Sequence, residues 1–239
     1  MKKFKCLLIA MLLGCSTMSF AQFMNGGGSS ISSSSDVEAW KGLRFSYDRT
    51  FMNAGDKSLY GSDGLDIDGF NGFSVGYIQA FKVAKQVPLF IETGAGINFA
   101  RFKETDWEDT DDLDLSATTL GLSIPINLVY GVKINDNLAI KPYTGFYLRV
   151  NLMGKAKFSS DDDNIQDVIE DNEMDDYNLF DKDDMGDDDK WNRCQFGWQI
   201  GATLDVNKFN IGIGYALDFN ELSEDAKLGI FSARLGFNF

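Results

Sequence analysis

The chain has 239 residues, a formal net charge of −14 and no histidine. Such an acidic balance disfavours nucleic acid and anionic surfaces as partners, because phosphate-binding proteins need basic patches. The lack of histidine excludes catalytic designs in which imidazole is the general base, and it leaves a transition-metal site only Cys194 and carboxylates. We therefore expect a protein without enzymatic activity.

Residues 1–21 are typical of an export signal. Lys2, Lys3 and Lys5 precede an apolar stretch that is too short to span a bilayer as a helix, and Ala21 suits cleavage before Gln22. An alternative is that residues 12–15 form a lipobox, in which an acylated Cys15 would become the mature N-terminus. Residues 22–41 follow, and their glycine and serine runs predict a flexible segment.

From residue 42 onward the chain alternates apolar and polar residues in segments of the length that a tilted membrane strand needs. No run after residue 22 is apolar over the roughly 18 residues of a membrane helix, so insertion into lipid would have to use strands in a closed barrel. The sequence thus predicts an all-β, eight-stranded antiparallel up-and-down transmembrane β-barrel over residues 42–239. The predicted strands are 42–51, 69–81, 88–102, 115–131, 138–152, 193–205, 209–219 and 229–239.

The connections between these strands alternate between short and long. Short turns are periplasmic and long loops extracellular in bacterial outer-membrane barrels, so both termini are predicted to be periplasmic. Outward aromatic residues then fall at both rims, which a soluble eight-stranded barrel of the lipocalin type would not require. These residues are Phe81, Tyr130, Phe209 and Phe237 at one rim, and Phe51, Phe73, Phe99, Phe196, Phe219 and Phe231 at the other.

Three sequence features carry a family resemblance: the Gly-Leu-Ser-Ile-Pro-Ile-Asn-Leu segment at 121–128, the Lys-Pro-Tyr-Thr-Gly segment at 141–145, and the terminal Phe239. Together with the signal, they resemble the small outer-membrane β-barrels of Gram-negative bacteria, such as OmpX, the OmpA transmembrane domain and, more closely, the PorT-like barrels. The resemblance implies a monomer in the cell outer membrane, with lipid and lipopolysaccharide as its surroundings. It also implies recognition of the Phe239 strand by the barrel assembly machinery, and it supplies no catalytic residue.

Charged residues of both signs fall on the inward parity of the predicted strands. The interior of an eight-stranded barrel is just wide enough to be filled by side chains, so these residues predict a charge network that plugs the lumen. A narrow channel or small-ligand passage is the alternative. Pro125 lies in mid-strand and predicts a bulge or a break in the hydrogen-bond ladder. The predicted lumen network is Arg44, Asp48, Glu92, Arg149, Asp205, Asp218 and Arg234.

The loop 153–192 is dense in carboxylates, which predicts either a solvated segment or a weak binding site for a hard cation such as calcium. Ile165, Val168 and Ile169 are spaced for one face of a short helix that would cap the barrel mouth. The candidate cation-binding residues are Asp181, Asp183, Asp184, Asp187, Asp188 and Asp189.

These observations predict a structural or surface-interaction protein whose extracellular acidic loops form the binding face. A porin-like channel is one alternative. A PorT-like part in secretion or envelope assembly, permitted by the resemblance, is another. Cys194 falls on the outward parity and is expected to face lipid, with intermolecular pairing as the alternative.

Overall fold

The computed structural model describes residues 37–54, 69–84, 86–104, 114–160, 162–171, 177–186, 190–223 and 226–239. The predicted signal 1–21 lies outside these residues. No helix in the described ranges has the length and apolar character to cross a membrane. The strands are β1 (Lys41–Ala54), β2 (Phe70–Lys82), β3 (Leu89–Glu104), β4 (Asp114–Tyr130), β5 (Val132–Asn135), β6 (Leu138–Ser159), β7 (Tyr177–Asn178), β8 (Cys194–Val206), β9 (Phe209–Asp218) and β10 (Ala226–Asn238); the helices are α1 (Asp163–Asp171) and α2 (Lys182–Met185).

Eight of the strands close into an antiparallel barrel. The order β4-β3-β2-β1-β10-β9-β8-β6 is closed by pairing of β4 with β6, so each barrel strand has two neighbours. The short strand β5 follows Gly131 and forms a hairpin with β6, while β7 pairs with the far part of β6. The predicted eight-stranded barrel is confirmed, and closure leaves none of the eight strands with a free edge.

The two ends of the barrel differ in their connections. At one end, which we call the terminal end, the short turns 83–88, 136–137 and 207–208 lie beside the start of β1 and the end of β10. The other end, which we call the loop end, carries the long connections, including residues 160–193 with α1, β7 and α2.

The two faces of the barrel wall have opposite polarity. Large apolar side chains stand on the outer face, where Phe73 and Phe209 are each 64% exposed. Polar side chains fill the inner face, where Gln195 and Asn127 are almost fully buried. The strands therefore have the inside-out pattern of a barrel that faces lipid outside and polar side chains inside.

Strand β6 is longer than the sequence pattern predicted. The pairing of β4 with β6 shifts between Leu120 and Gly121, because Met153 pairs with the first and Asn151 with the second. Leu152 is the extra residue of this bulge, and both Leu152 and Met153 are exposed. A bulge places two successive side chains on one face and so interrupts the period of two. The expected loop start at residue 153 was wrong for this reason.

Pro125 interrupts one ladder without changing its register. Between β3 and β4, Thr93 pairs with Ile126 and Gly96 pairs with Ser123, but the two intervening positions make no pair. Pro125 lacks the N–H that a ladder needs. Its carbonyl accepts a hydrogen bond of 2.9 Å from the Thr93 hydroxyl. The ladder break expected at this proline is present.

Candidate functional site: the lumen and its two caps

A cluster of buried apolar side chains fills the terminal end of the barrel, and we call it the terminal cap. Trp40 is its central residue: its indole N–H donates a 2.8 Å hydrogen bond to Glu92 Oε2, and its ring lies 4.8 Å from that of Phe90. Lys141 Nζ lies 3.4 Å from the centroid of the Trp40 ring. The members of the cap are Val37, Trp40, Ile78, Ala80, Phe90, Val129 and Tyr143.

The terminal cap corrects the expectation of a flexible segment over residues 22–41. Val37 and Trp40 are both buried, the backbone carbonyl of Trp40 accepts a hydrogen bond from Ala80, and β1 begins at Lys41. Trp40 continues the inward parity of Gly42 and Arg44, so it enters the barrel as the first inward side chain of the wall. Residues 22–36 of the predicted segment lie outside the described residues.

A buried ion pair lies beside the terminal cap. Lys141 Nζ and Asp205 Oδ2 are 2.5 Å apart, and both side chains are almost wholly buried. The Asp205 carboxylate also accepts hydrogen bonds from the side-chain amides of Asn210, at 2.5 Å, and Asn238, at 3.0 Å. Arg44 donates to the Asn238 side chain at 2.8 Å. Buried charges of this kind persist because each is paired and hydrogen-bonded.

A second chain of polar contacts crosses the lumen on the loop-end side of the Lys141–Asp205 pair. Asn127 donates to the Glu92 carboxylate at 3.4 Å and accepts from Gln199 at 2.8 Å, while Arg234 donates to Gln199 at 3.4 Å. The Arg234 guanidinium also lies 5.3 Å from the ring centroid of Tyr143. Arg234 on β10 and Glu92 on β3 are thus joined through the neutral amides of Gln199 and Asn127.

The half of the lumen nearer the loop end holds another ion pair. Arg149 donates a 3.0 Å hydrogen bond to Asp218, whose other carboxylate oxygen accepts from the Tyr147 hydroxyl. Asp48 accepts hydrogen bonds from the hydroxyls of Ser46, at 3.0 Å, and Ser74, at 2.9 Å. Neutral hydroxyl donors thus offset the desolvation of the Asp48 carboxylate, whereas the Arg149 cation offsets that of Asp218.

A second apolar cluster, which we call the loop cap, closes the opposite end. Leu179, from the long connection after β6, is 3% exposed and packs with Phe70 and Phe102 of the barrel wall. Trp191 lies 5.8 Å from the Phe70 ring, centroid to centroid, and Leu222, in the connection after β9, is also buried. Parts of the long connections thus fold back over the barrel mouth.

A cavity of about 190 Å³ lies between the two caps. Its lining includes Ser46, Ser74, Tyr143, Arg149 and Arg234, all from the inner wall. Among the described residues, the buried hydroxyl of Tyr143 and the side-chain oxygen of Asn98 have no hydrogen-bond partner. The cavity exceeds the volume of several waters and presents polar groups that a water could satisfy.

The acidic connection is partly structured. Helix α1 contains the predicted face of Ile165, Val168 and Ile169, but only Ile169 is buried. Its start is held by Asp162, which accepts from the Asn164 backbone at 2.8 Å; this hydrogen bond lowers the pKa of the Asp162 carboxyl. The residues over the barrel mouth are instead Tyr177, Leu179, Met185 and Trp191.

The candidate cation-binding carboxylates are engaged in local backbone contacts. Asp181 accepts from the Asp183 backbone amide at 3.0 Å and caps α2, while Asp184 accepts from the Asn178 amide at 2.8 Å. Asp187, Asp188 and Asp189 lie outside the described residues. Across the described ranges, no three acidic or cysteine side chains come together as a metal site would require.

Of the seven charged residues predicted to lie in the lumen, Arg149 and Asp218 form a direct ion pair. Lys141, the partner of Asp205, and the inward tyrosines 143 and 147 were not predicted. The signal was present, because Lys141 has the parity opposite to the exposed Ile140. Cys194 is exposed and free on the outer face.

A closed barrel with an apolar outer wall and a polar, capped lumen defines the class as a β-barrel membrane protein. A model of the family described as Outer membrane protein beta-barrel domain matches residues 26–224. The chain belongs to this family, which places it in the outer membrane.

Solved structures with similar folds include three small outer-membrane proteins. Ail of Yersinia pestis is 19% identical over 85% of this chain and 100% of its own, with a TM-score of 0.40. Neisserial surface protein A is 12% identical over 84% and 97%, with a TM-score of 0.41. The outer membrane enzyme PagL is 14% identical over 82% and 98%, with a TM-score of 0.42. A comparison with curated proteins finds no match.

Proposed function

We propose that this protein is a non-catalytic outer-membrane barrel with a closed lumen, whose role is structural or lies in surface interactions of its loop end. The observation that carries the proposal is the pair of caps. Trp40 and Phe90 close the terminal end, while Leu179 and Trp191 cover the loop end. A solute would have to displace both clusters and the ion pairs between them.

In this proposal the loop end faces outward and both termini face the periplasm. The support is the contrast between the two-residue turns 136–137 and 207–208 and the long connection 160–193. Labelling of intact cells by a membrane-impermeant maleimide tests the orientation. In a Cys194→Ser background, Asp183→Cys at the loop end is expected to react, and Asn137→Cys at the terminal end to stay unlabelled until the membrane is broken. The reverse pattern would invert the proposed orientation.

The cavity supports one competing function, a narrow channel or small-ligand passage. Its volume and the unpartnered Tyr143 hydroxyl leave room for mobile groups within the lumen. Single-channel recording in a planar bilayer, with and without calcium, separates the two functions. We expect the purified chain to be silent in both solutions.

A positive control makes that silence meaningful. The double variant Trp40→Ala/Trp191→Ala removes one large side chain from each cap and is expected to produce openings. Steady openings of the unaltered chain would contradict the closed-lumen proposal. Arg44, Glu92, Arg149 and Arg234 would then be the pore-lining residues to substitute.

A further inference from the structure

The two halves of the barrel wall fill the lumen unevenly. Tyr147 and Arg149 of β6 and Gln195 and Gln199 of β8 are buried. The other half, made of β1 to β4, contributes small inward residues that are only half-buried, because they border the cavity. An eight-stranded barrel is wide enough to hold one small ligand where side chains leave room. We call this half the hollow side; its small bordering residues are Ser46, Ser74, Gly76, Gly96 and Ser123.

Hydroxyl and charged side chains form a row across the hollow side. Ser46 pairs with Arg234 of β10 on one side and with Ser74 of β2 on the other. Asp48 is the next inward residue of β1 towards the loop end, and its carboxylate accepts hydrogen bonds from the Ser46 and Ser74 hydroxyls. Both Asp48 and Arg234 line the cavity. The hollow side therefore presents a carboxylate and a guanidinium beside two hydroxyls.

Arg234 and Asp48 are close to each other without forming an ion pair. They are diagonal neighbours on adjacent antiparallel strands, so their Cβ atoms are roughly 7–8 Å apart. Neither takes part in the ion pairs of the described lumen. Arg234 has five N–H donors and makes one hydrogen bond of 3.4 Å, to Gln199, within the described residues. A carboxylate offers about four acceptor sites, so Asp48 can accept more than its two hydroxyl donors supply.

The Tyr143 hydroxyl adds a further donor beside Arg234. Both groups lie over Gly214 of β9, and the Arg234 guanidinium is 5.3 Å from the centroid of the Tyr143 ring. The hydroxyl is buried and has no hydrogen-bond partner among the described residues. Since buried polar atoms are almost always hydrogen-bonded, this hydroxyl points to a polar occupant of the cavity that Tyr143 lines.

The cavity reaches the loop cap and is sealed at the terminal end. Phe70 and Trp191 of the loop cap are part of its lining, as is the buried Leu222. Trp40 and Phe90 lie beyond the lining and close the opposite end. A molecule that displaces the loop cap would therefore enter a pocket without an exit, which distinguishes a binding site from a channel.

We propose that the hollow side binds a small zwitterion of the amino-acid type, with its carboxylate on Arg234 and its ammonium on Asp48. Charge-assisted hydrogen bonds of this kind are the strong ones. A ligand without net charge is favoured because an ion of either sign would leave an excess charge buried among the paired lumen residues. Water can satisfy the Tyr143 hydroxyl, but it neutralises neither Arg234 nor Asp48.

The size of the cavity agrees with such a ligand. A buried water takes roughly 15 Å³, so the 190 Å³ have room for about a dozen waters, or for a small amino acid in place of most of them. Gly76 and Gly96 border this space and leave it open to the ligand side chain.

The test measures binding of each common L-amino acid to the purified chain in detergent, by equilibrium dialysis. We expect at least one of them to bind, with one molecule per chain. Arg234→Gln and Asp48→Asn should each weaken that binding about 10-fold or more, because each removes a hydrogen bond between charged groups. The matched controls, Arg101→Gln on the outer face and Asp136→Asn at the terminal end, change exposed residues and should bind like the unaltered chain.

Two analogues of the bound amino acid test its charges on the unaltered chain. The hydroxy acid replaces the ammonium by a hydroxyl, and the primary amide of the amino acid removes the carboxylate charge; each should bind about 10-fold more weakly or worse. The analogues need no variant, so they decide the matter even if a variant does not fold. Absence of binding by every amino acid, equal binding by either analogue, or equal binding by the lumen and control variants would overturn the proposal. A chain that is silent in planar bilayers and binds no amino acid would keep the closed lumen and overturn this site alone.

Discussion

Truncation of Trp40 tests whether the terminal cap stabilises the barrel. Trp40 is 8% exposed, lies 4.8 Å from Phe90 and donates a hydrogen bond to the Glu92 carboxylate. Trp40→Ala leaves a cavity beside Phe90 and removes a hydrogen bond to a charged group. Large-to-small changes of a buried tryptophan cost about 3–5 kcal/mol. We expect a decrease of that size in the free energy of unfolding.

A second substitution separates ring packing from hydrogen bonding. Trp40→Phe keeps an aromatic ring under the Lys141 ammonium but has no N–H for Glu92, whose other hydrogen-bond donor among the described lumen residues is Asn127 at 3.4 Å. Because a hydrogen bond to a charged group contributes about 1.5–3 kcal/mol, we expect a loss in that range. Together, the two variants separate the contribution of ring packing to the stability of the terminal cap from that of the hydrogen bond to Glu92.

Urea unfolding in detergent micelles, followed by far-ultraviolet circular dichroism, gives both values. Trp198→Ala is the matched control, since this tryptophan lies on the outer face and donates one hydrogen bond of 2.9 Å to Thr144. Micelle or lipid chains can fill the space that it leaves, so we expect a loss of about 1 kcal/mol, the value of that hydrogen bond. Equal losses for Trp40→Ala and Trp198→Ala would refute the structural role of the terminal cap.

Three further predictions concern the lumen and α1. Lys141→Met is expected to cost about 3–5 kcal/mol because it leaves the Asp205 carboxylate buried without its cation, whereas Lys141→Met/Asp205→Leu is expected to cost less. Urea unfolding of the two variants and the unaltered chain checks this order. Gly201→Ala is expected to cost about 1–3 kcal/mol because the added methyl group would clash with the Ile213 carbonyl and the Tyr143 hydroxyl. Gly96→Ala should cost less in the same assay, since the nearest atom to its added methyl group is 3.2 Å away. Hydrogen bonding lowers the pKa of Asp162, so the stabilisation of α1 by this carboxylate is present above the ordinary aspartate pKa and is lost as pH falls through the lowered value. Amide exchange at the first turn of α1 should therefore rise in that acidic range. Asp162→Ala should remove the pH dependence.

The barrel could be predicted from the sequence because its strands obey one local rule. Lipid outside and polar side chains inside impose a period of two on every wall strand, so residues such as Ile213 and Arg234 reveal their faces by parity alone. The rule fails where the backbone departs from regular pairing. At Leu152 the bulge puts two neighbouring side chains outward, and no residue type in the sequence marks that position.

The lumen could be predicted only in part, since parity gives a direction and not a partner. It placed Arg149 and Asp218 inside, but their pairing depends on the closure of the barrel across strands that are far apart in the chain. Trp40 was missed because it follows a glycine- and serine-rich run, whose composition indicated flexibility. Its burial comes from contacts with Phe90 and Lys141, which only the closed barrel brings together.

The charges of the lumen favour a structural interior over an ion pathway. Selective pores use rings of side chains of one sign, which attract one kind of ion. Here Lys141 and the three predicted arginines offset the four predicted carboxylates, so the predicted network together with Lys141 has no net charge. Two carboxylates, Asp205 and Asp218, are held by cations, and Asp48 and Glu92 by neutral donors. An ion would gain little from such an interior, and the excess negative charge of the chain is carried outside it. This charge balance supports the proposal of a closed lumen, in which the protein interacts through its loop end.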